Sequence, residues 1–292
     1  MSPAKKSSTG RAVAAVEAPA ATKPAGNRRP SVLEFRDKGV RGERLVVVTA
    51  YDATFARLVH EGGADALLVG DSLGSVIGGH PTTVAVTLDQ MIYHGAAVRR
   101  GAPDALVIVD MPFLTYQVSD ERALLNCGRV VQETGAQAVK LEGGSASIAR
   151  TVRAVVDLGI PVMGHLGFTP QSEHALGGPR VQGRGAPAAA RLADDARRLE
   201  DAGVFAIVLE LVPAAVAETI TARLSVPTIG IGAGPHCSGQ VLVLHDLLGL
   251  TDRFSPKFLK RYAAMAGEVR GAVRAFGDDV RAGTYPDAGH SF

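Results

Sequence analysis

Leu106-Val107-Ile108-Val109-Asp110 is a short unbroken apolar run, rich in β-branched residues, that ends in a carboxylate. The same construction recurs in Leu67-Leu68-Val69-Gly70-Asp71, Val139-Lys140-Leu141-Glu142 and Ile207-Val208-Leu209-Glu210. A further run, Val162-Met163-Gly164-His165, ends in histidine. Runs of this kind read as strands buried on both faces, as in a parallel sheet. In a (β/α)8 barrel all parallel strands open onto one face, and catalytic groups sit at those C-terminal ends. Acids far apart in sequence are then expected to converge on one pocket, which points to an enzyme.

Outward from these runs the chain alternates strand and helix. Strands are expected over 45–50, 66–70, 106–110, 138–142, 162–165, 205–210, 228–231 and, more weakly, 241–244. Helices are expected over 53–61, 88–100, 120–134, 147–158, 188–202, 214–224 and 256–276. Glycines follow many of them, as in Thr134-Gly135 and Ala202-Gly203, where a helix end calls for positive φ. This βα order predicts an α/β fold with a parallel sheet, a (β/α)8 TIM barrel over 31–292. An open doubly wound sheet is the rival. The first strand, however, runs into Thr49-Ala50-Tyr51-Asp52 and carries no Gly-x-Gly-x-x-Gly turn. Two long connections, 72–87 and 167–187, follow strands and read as lids or binding loops on the catalytic face.

At 292 residues with 46% apolar content the chain can build one large core. No apolar run approaches ~18 residues, so no transmembrane helix is expected. Residues 1–30 are rich in Ala, Pro and Ser, lack periodicity, and read as a disordered tail without the apolar segment of a secretory signal. Lys5, Lys6, Arg11, Lys23, Arg28 and Arg29 make it basic against Glu17 alone. The overall pI near 8.6 therefore reflects the tail, and the body gives no reason to expect nucleic acid. Cys127 and Cys237 sit in no metal-ligand or Cys-x-x-Cys spacing and read as reduced cytosolic thiols.

Asp71, Asp110 and Glu142 are expected at the barrel mouth. Each alone could cap a helix or pair with an arginine. Crowded together they repel, and each is driven toward protonation unless a cation is present. Oxygen ligands without clustered Cys or His favour Mg²⁺ over Zn²⁺. Lys140 lies two residues before Glu142, so both point to the same face. A lysine inside a barrel needs an anion, either those acids or a substrate carboxylate or enolate oxygen. Three carboxylates, one Mg²⁺ and one lysine sum to zero, which leaves the site open to an anionic substrate. Glu210 ends a more distant strand and suits a general base. His165 could donate to a substrate carbonyl or carboxylate, and Ser72 could bind a carboxylate. The loop Gly230-Ile231-Gly232-Ala233-Gly234 follows the seventh strand, a place where barrels often bind phosphate; taken alone it fits a tight turn equally well.

These residues together resemble the ketopantoate hydroxymethyltransferase family, over about Leu33 to Phe292. The blocks that carry the resemblance include Val69-Gly70-Asp71-Ser72, Asp110-Met111-Pro112-Phe113, Val139-Lys140-Leu141-Glu142-Gly143-Gly144, Gly164-His165-Leu166-Gly167-Phe168-Thr169-Pro170-Gln171-Ser172 and the terminal His290-Ser291-Phe292. The resemblance implies a cytoplasmic enzyme, a Mg²⁺ site, 5,10-methylenetetrahydrofolate as one-carbon donor and often a homodecamer. Carried over by position, Asp71, Asp110 and Glu142 match the metal site. Ser72, Asp110 and Lys140 match keto-acid contacts, and Glu210 matches the general base. The implied reaction makes 2-dehydropantoate from 3-methyl-2-oxobutanoate through an enolate. Pro81 and Pro179 depart from the family pattern, both in the long loops. The nearest rival enzyme is a Mg²⁺-dependent lyase or mutase of the phosphoenolpyruvate/isocitrate-lyase type, disfavoured because no cysteine stands in a strand-end loop with lysine and histidine neighbours. A barrel that only binds a chelated acid, or serves as a scaffold, would leave Glu210 and Lys140 without a joint role.

Overall fold

The computed structural model describes residues 31–252 and 255–292, so the disordered tail expected over 1–30 lies outside the described residues. Eight strands pair in chain order, all in parallel, and the eighth closes on the first. They are β1 (Leu45–Thr49), β2 (Ala66–Val69), β3 (Val107–Asp110), β4 (Ala138–Glu142), β5 (Val162–Gly167), β6 (Ala206–Glu210), β7 (Thr228–Ile231) and β8 (Gly239–Leu242). Around them lie α1 (Val32–Val40), α2 (Ala53–Glu61), α3 (Leu73–Val76), α4 (Leu88–Gly101), α5 (Asp120–Thr134) and α6 (Ala146–Asp157). The series continues with α7 (Glu173–Leu176), α8 (Ala186–Ala202), α9 (Ala214–Arg223), α10 (Leu244–Leu247) and α11 (Met265–Ala282). The (β/α)8 barrel read from the sequence is the architecture observed. No described helix is long and apolar enough to cross a membrane.

Strand parity divides the core in two. Leu45, Val47, Leu68, Ile108, Ala138, Met163, Val208 and Ile229 fill the barrel interior. Their neighbours Leu67, Val69, Val107, Val109, Val139, Leu141, Ile207 and Leu209 pack outward on the helices. Both faces are apolar, so the runs are continuous rather than alternating. Along β3, β4, β5 and β6 the interior parity next reaches Asp110, Lys140 with Glu142, His165 and Glu210. The helices lie on the outer layer by their own period. In α5 the buried residues Ala123, Cys127, Val130 and Thr134 recur at helical spacing. Ser119 caps that helix by accepting from Arg122 N, and Gly135 ends it at φ 72°.

Besides the four-residue helices α3, α7 and α10, three elements differ from expectation. α1 was not foreseen. Ser31 caps it, and Val32 and Phe35 plug the N-terminal end of the barrel, with Phe35 edge-on to Phe205 at 6.0 Å. The eighth strand begins at Gly239, two residues earlier than expected. A Cβ there would lie 2.4 Å from Leu45 O, so the strand opens on glycine rather than on an apolar signal. The helix expected over 256–276 instead spans Met265–Ala282. The segment before it is tied back to α10 by Tyr262 N donating to Leu247 O and Met265 N to Leu248 O. The two long loops do lie beyond strand C-termini. Each carries a 3-10 turn, Thr83–Ala85 and Pro170–Ser172, and these turns pack against each other.

Candidate active site

The register of the barrel brings the strand ends together. Asp110 pairs with Lys140, Glu142 with His165, and Gly167 with Glu210. With Asp71 and Ser72 just beyond β2, these groups surround a cavity of about 110 Å³, also lined by Thr49, Gly70, Pro170 and Ile231. All seven residues expected at the site therefore meet in one place. Gly70 keeps the cavity open, because a Cβ there would lie 2.8 Å from Ser72 Oγ and 3.5 Å from Asp110 Oδ2.

Lys140 is the electrostatic centre. Its Nζ lies 2.7 Å from Asp110 Oδ1, 3.0 Å from His165 Nδ1 and 3.9 Å from Glu142 Oε1. His165 Nδ1 is 3.3 Å from Glu142 Oε1, and its Nε2 is 3.2 Å from Glu210 Oε2. The Asp71 backbone N–H donates to Asp110 Oδ2 at 3.1 Å. Ser72 Oγ shares a 2.8 Å hydrogen bond with Tyr51 OH. Asp71, Asp110, Lys140, Glu142 and His165 are all buried, whereas the Glu210 side chain keeps 18% of its exposure.

Burial and mutual repulsion set the protonation states. Burial, then the charges of Asp110 and Glu142, push Asp71 up to about 8. Burial also raises Asp110, though Lys140 opposes it. Burial disfavours a charged Lys140, but Asp110, Glu142 and Asp71 outweigh it and hold the ammonium well above its ordinary range. Burial and the Lys140 charge push His165 down; Glu142 and Glu210 reverse this, and it reaches about 9. Glu142 is held below the usual range: His165, Lys140 and the Gln171 N–H overcome its burial.

The donor set fits a hard cation. Asp110 Oδ1 and Glu142 Oε1 are buried, and what faces them is the Lys140 ammonium at 2.7 Å from the former and His165 Nδ1 at 3.3 Å from the latter. Asp71 and Asp110 are driven toward protonation, a cost that a cation removes. Among the described residues no three His, Cys, Asp or Glu form a ready-made cage, since Lys140 stands between the acids. Mg²⁺ does not need one, because it keeps several waters and takes one or two carboxylates.

Other sequence signals resolve differently. The glycines after β7 serve packing: a Cβ at Gly234 would lie 2.5 Å from Ala214 Cβ. Both cysteines are free and buried, neither lines the cavity, and burial pushes the Cys127 thiol up to about 12. Sequence reasoning missed Tyr51, Tyr116 and Gln171. Gln171 Nε2 donates to Asp71 Oδ2, and Tyr116 OH donates to Gln171 Oε1, both at 2.9 Å. Uncharged residues in loops carry no periodicity, so only the blocks Thr49-Ala50-Tyr51-Asp52 and Thr169-Pro170-Gln171-Ser172 marked two of them, and nothing marked Tyr116.

The family model of ketopantoate hydroxymethyltransferase matches residues 29–288. A 3-methyl-2-oxobutanoate hydroxymethyltransferase of Pelobacter propionicus is 54% identical over 263 residues, 90% of this chain and 96% of that protein. One of Moorella thermoacetica is 58% identical over 252 residues, 86% of this chain and 93% of that protein. Among solved structures, 2,3-dimethylmalate lyase, of the PEP mutase/isocitrate lyase superfamily, aligns with a TM-score of 0.57 at 16% identity, covering 86% of this chain and 88% of that one. Phosphonopyruvate hydrolase in complex with oxalate and Mg²⁺ gives 0.58 at 12% identity, covering 89% and 93%. These structural likenesses are of fold alone.

Proposed function

The chain belongs to the ketopantoate hydroxymethyltransferase family, and from that premise we propose that it converts 3-methyl-2-oxobutanoate to 2-dehydropantoate, the first committed step of pantothenate synthesis. The one-carbon unit comes from 5,10-methylenetetrahydrofolate. One water is consumed and tetrahydrofolate is released. The observation that carries the reading is the small buried cavity in which Lys140, three carboxylates and His165 meet the more open Glu210.

In this reading Asp71, Asp110 and Glu142 hold a Mg²⁺, which when bound polarises the 2-oxo group of the substrate. Ser72, oriented by Tyr51 OH, receives the substrate carboxylate. The Lys140 ammonium, kept charged by Asp110, stabilises the negative charge that develops on the 2-oxo oxygen. Glu210 takes the proton from C3, and His165 at 3.2 Å holds that carboxylate in place. The C3 electron pair then forms the new bond to the methylene carbon as one of that carbon's two bonds to folate nitrogens breaks, the released nitrogen taking up the proton that left C3. The remaining carbon–nitrogen bond is exchanged for one to a water oxygen, and the second nitrogen takes the proton that the water gives up. The free buried thiols support a reducing, cytoplasmic setting. A homo-oligomer, the decamer that the family resemblance implies, is supported by an exposed apolar strip on α11.

The test is an assay with both substrates, following tetrahydrofolate and 2-dehydropantoate. Activity should vanish on chelation and return with Mg²⁺. A folded, Mg²⁺-replete protein that forms no 2-dehydropantoate would overturn the reading.

A further inference from the structure

Gln171 is an uncharged side chain, 6% exposed, at the root of the loop between β5 and α8. Its Nε2 donates to Asp71 Oδ2 and to Met111 O, both at 2.9 Å. Its Oε1 accepts from Tyr116 OH at 2.9 Å and from Gln117 Nε2 at 3.0 Å. Its backbone N–H donates to Glu142 Oε2 at 3.1 Å. Four bonds saturate a carboxamide, and the Met111 carbonyl, which can only accept, fixes which end is nitrogen. Tyr116 is held in turn, because its hydroxyl accepts from Glu142 N at 3.0 Å.

One residue thus occupies one oxygen on each of two carboxylates that come from different strands. The oxygens left over are Asp71 Oδ1, which no hydrogen bond among the described residues engages, and Glu142 Oε1, which is turned toward His165 Nδ1 at 3.3 Å and Lys140 Nζ at 3.9 Å. A side chain free to rotate would present either oxygen, but these two are held. Gln171 also stands where the two long loops meet, since its 3-10 turn packs against Thr83–Ala85. We propose that Gln171 is a positioning residue of the cation site. It sets the orientation of Asp71 and Glu142 by holding one oxygen of each, so that the other is the one presented, and it joins that orientation to the seating of the β5–α8 loop. This rests on the cation site proposed above.

The probe is Mn²⁺, titrated into the metal-stripped full-length protein and followed by electron paramagnetic resonance. Gln171→Leu should weaken Mn²⁺ binding roughly 10- to 100-fold, as loss of a ligand-orienting partner does. Tyr116→Phe should weaken it in the same direction but less. The double variant should lose less than the two single losses combined, because both act through one carboxamide. Val130→Ala, in the buried face of α5, is the control for general destabilisation: its Tm should fall with Mn²⁺ affinity unchanged. Unchanged affinity in folded Gln171→Leu overturns the proposal, as does an equal loss in Val130→Ala. If Gln171→Leu does not fold, Tyr116→Phe decides, and wild-type affinity there overturns it. A wild-type protein that binds no Mn²⁺ removes the cation site and the role of Gln171 together, whereas failure in the variants alone leaves the site standing.

Discussion

Glu210 differs from the other acids of the cavity in reaching solvent, with 18% side-chain exposure against 4% and 3% for Asp110 and Glu142. That exposure suits the proton-accepting role proposed for it. Glu210→Gln should still bind the keto acid and cation while losing C3 proton transfer. In D₂O without folate, NMR should show C3–H exchange slowed by about 100-fold or more. Exchange at the wild-type rate would move Glu210 to the later steps. Asp71 makes a second prediction. Its folded pKa of about 8 lies above the ordinary 3.8, so the folded state holds that proton more tightly than the unfolded chain. The stability linked to it is full below the ordinary value and is lost as pH rises through about 8. The Tm of metal-stripped protein should fall over that window, and Mg²⁺ should raise Tm more at the alkaline end than at the acid end. A larger Mg²⁺ increment at the acid end would show that Asp71 is not part of the cation site.

Among elements, α1 shows how a short helix can matter to a barrel it does not belong to. Its apolar residues are few, and Leu33 and Val40 are exposed, so its sequence pattern is weak. Phe35 is nevertheless seated against Phe205 and the interior layer at the end of the barrel opposite the acids. Phe35→Ala should lower unfolding free energy by roughly 3–5 kcal/mol, read by urea denaturation, with kcat of the folded enzyme retained. A cost below about 1 kcal/mol would show that α1 does not seal the barrel floor. The strands were legible because burial on both faces forces continuous apolar runs. β8 was legible only in part, since the close approach of Gly239 to Leu45 replaced the expected apolar residue with glycine.

At the scale of the whole molecule, α11 buries only Ala266 and presents Val269, Val273, Phe276 and Val280 to solvent at helical spacing. A strip of this kind on one helix face suits contact with a second copy of the chain. Val273→Asp should leave the circular dichroism of the barrel intact and shift the protein to smaller species in sedimentation velocity. An unchanged sedimentation coefficient would show that the strip lies outside the subunit interface.

The strand runs, their order and their terminal acids were written in the chain, because a barrel strand must be apolar on both sides until it reaches the open end. Parity along each strand follows from covalent geometry, so Lys140 and Glu142 could be assigned to one face without coordinates. Contacts between separate strands are another matter. That Lys140 sits between Asp110 and His165, and that His165 reaches back to Glu210, depends on the register of four strands. Gln171 and Tyr116 lie further from sequence logic. They are loop residues whose partners, Asp71 and Glu142, come from strands 100 and 26 positions away, and only closure of the barrel brings them within hydrogen-bonding distance.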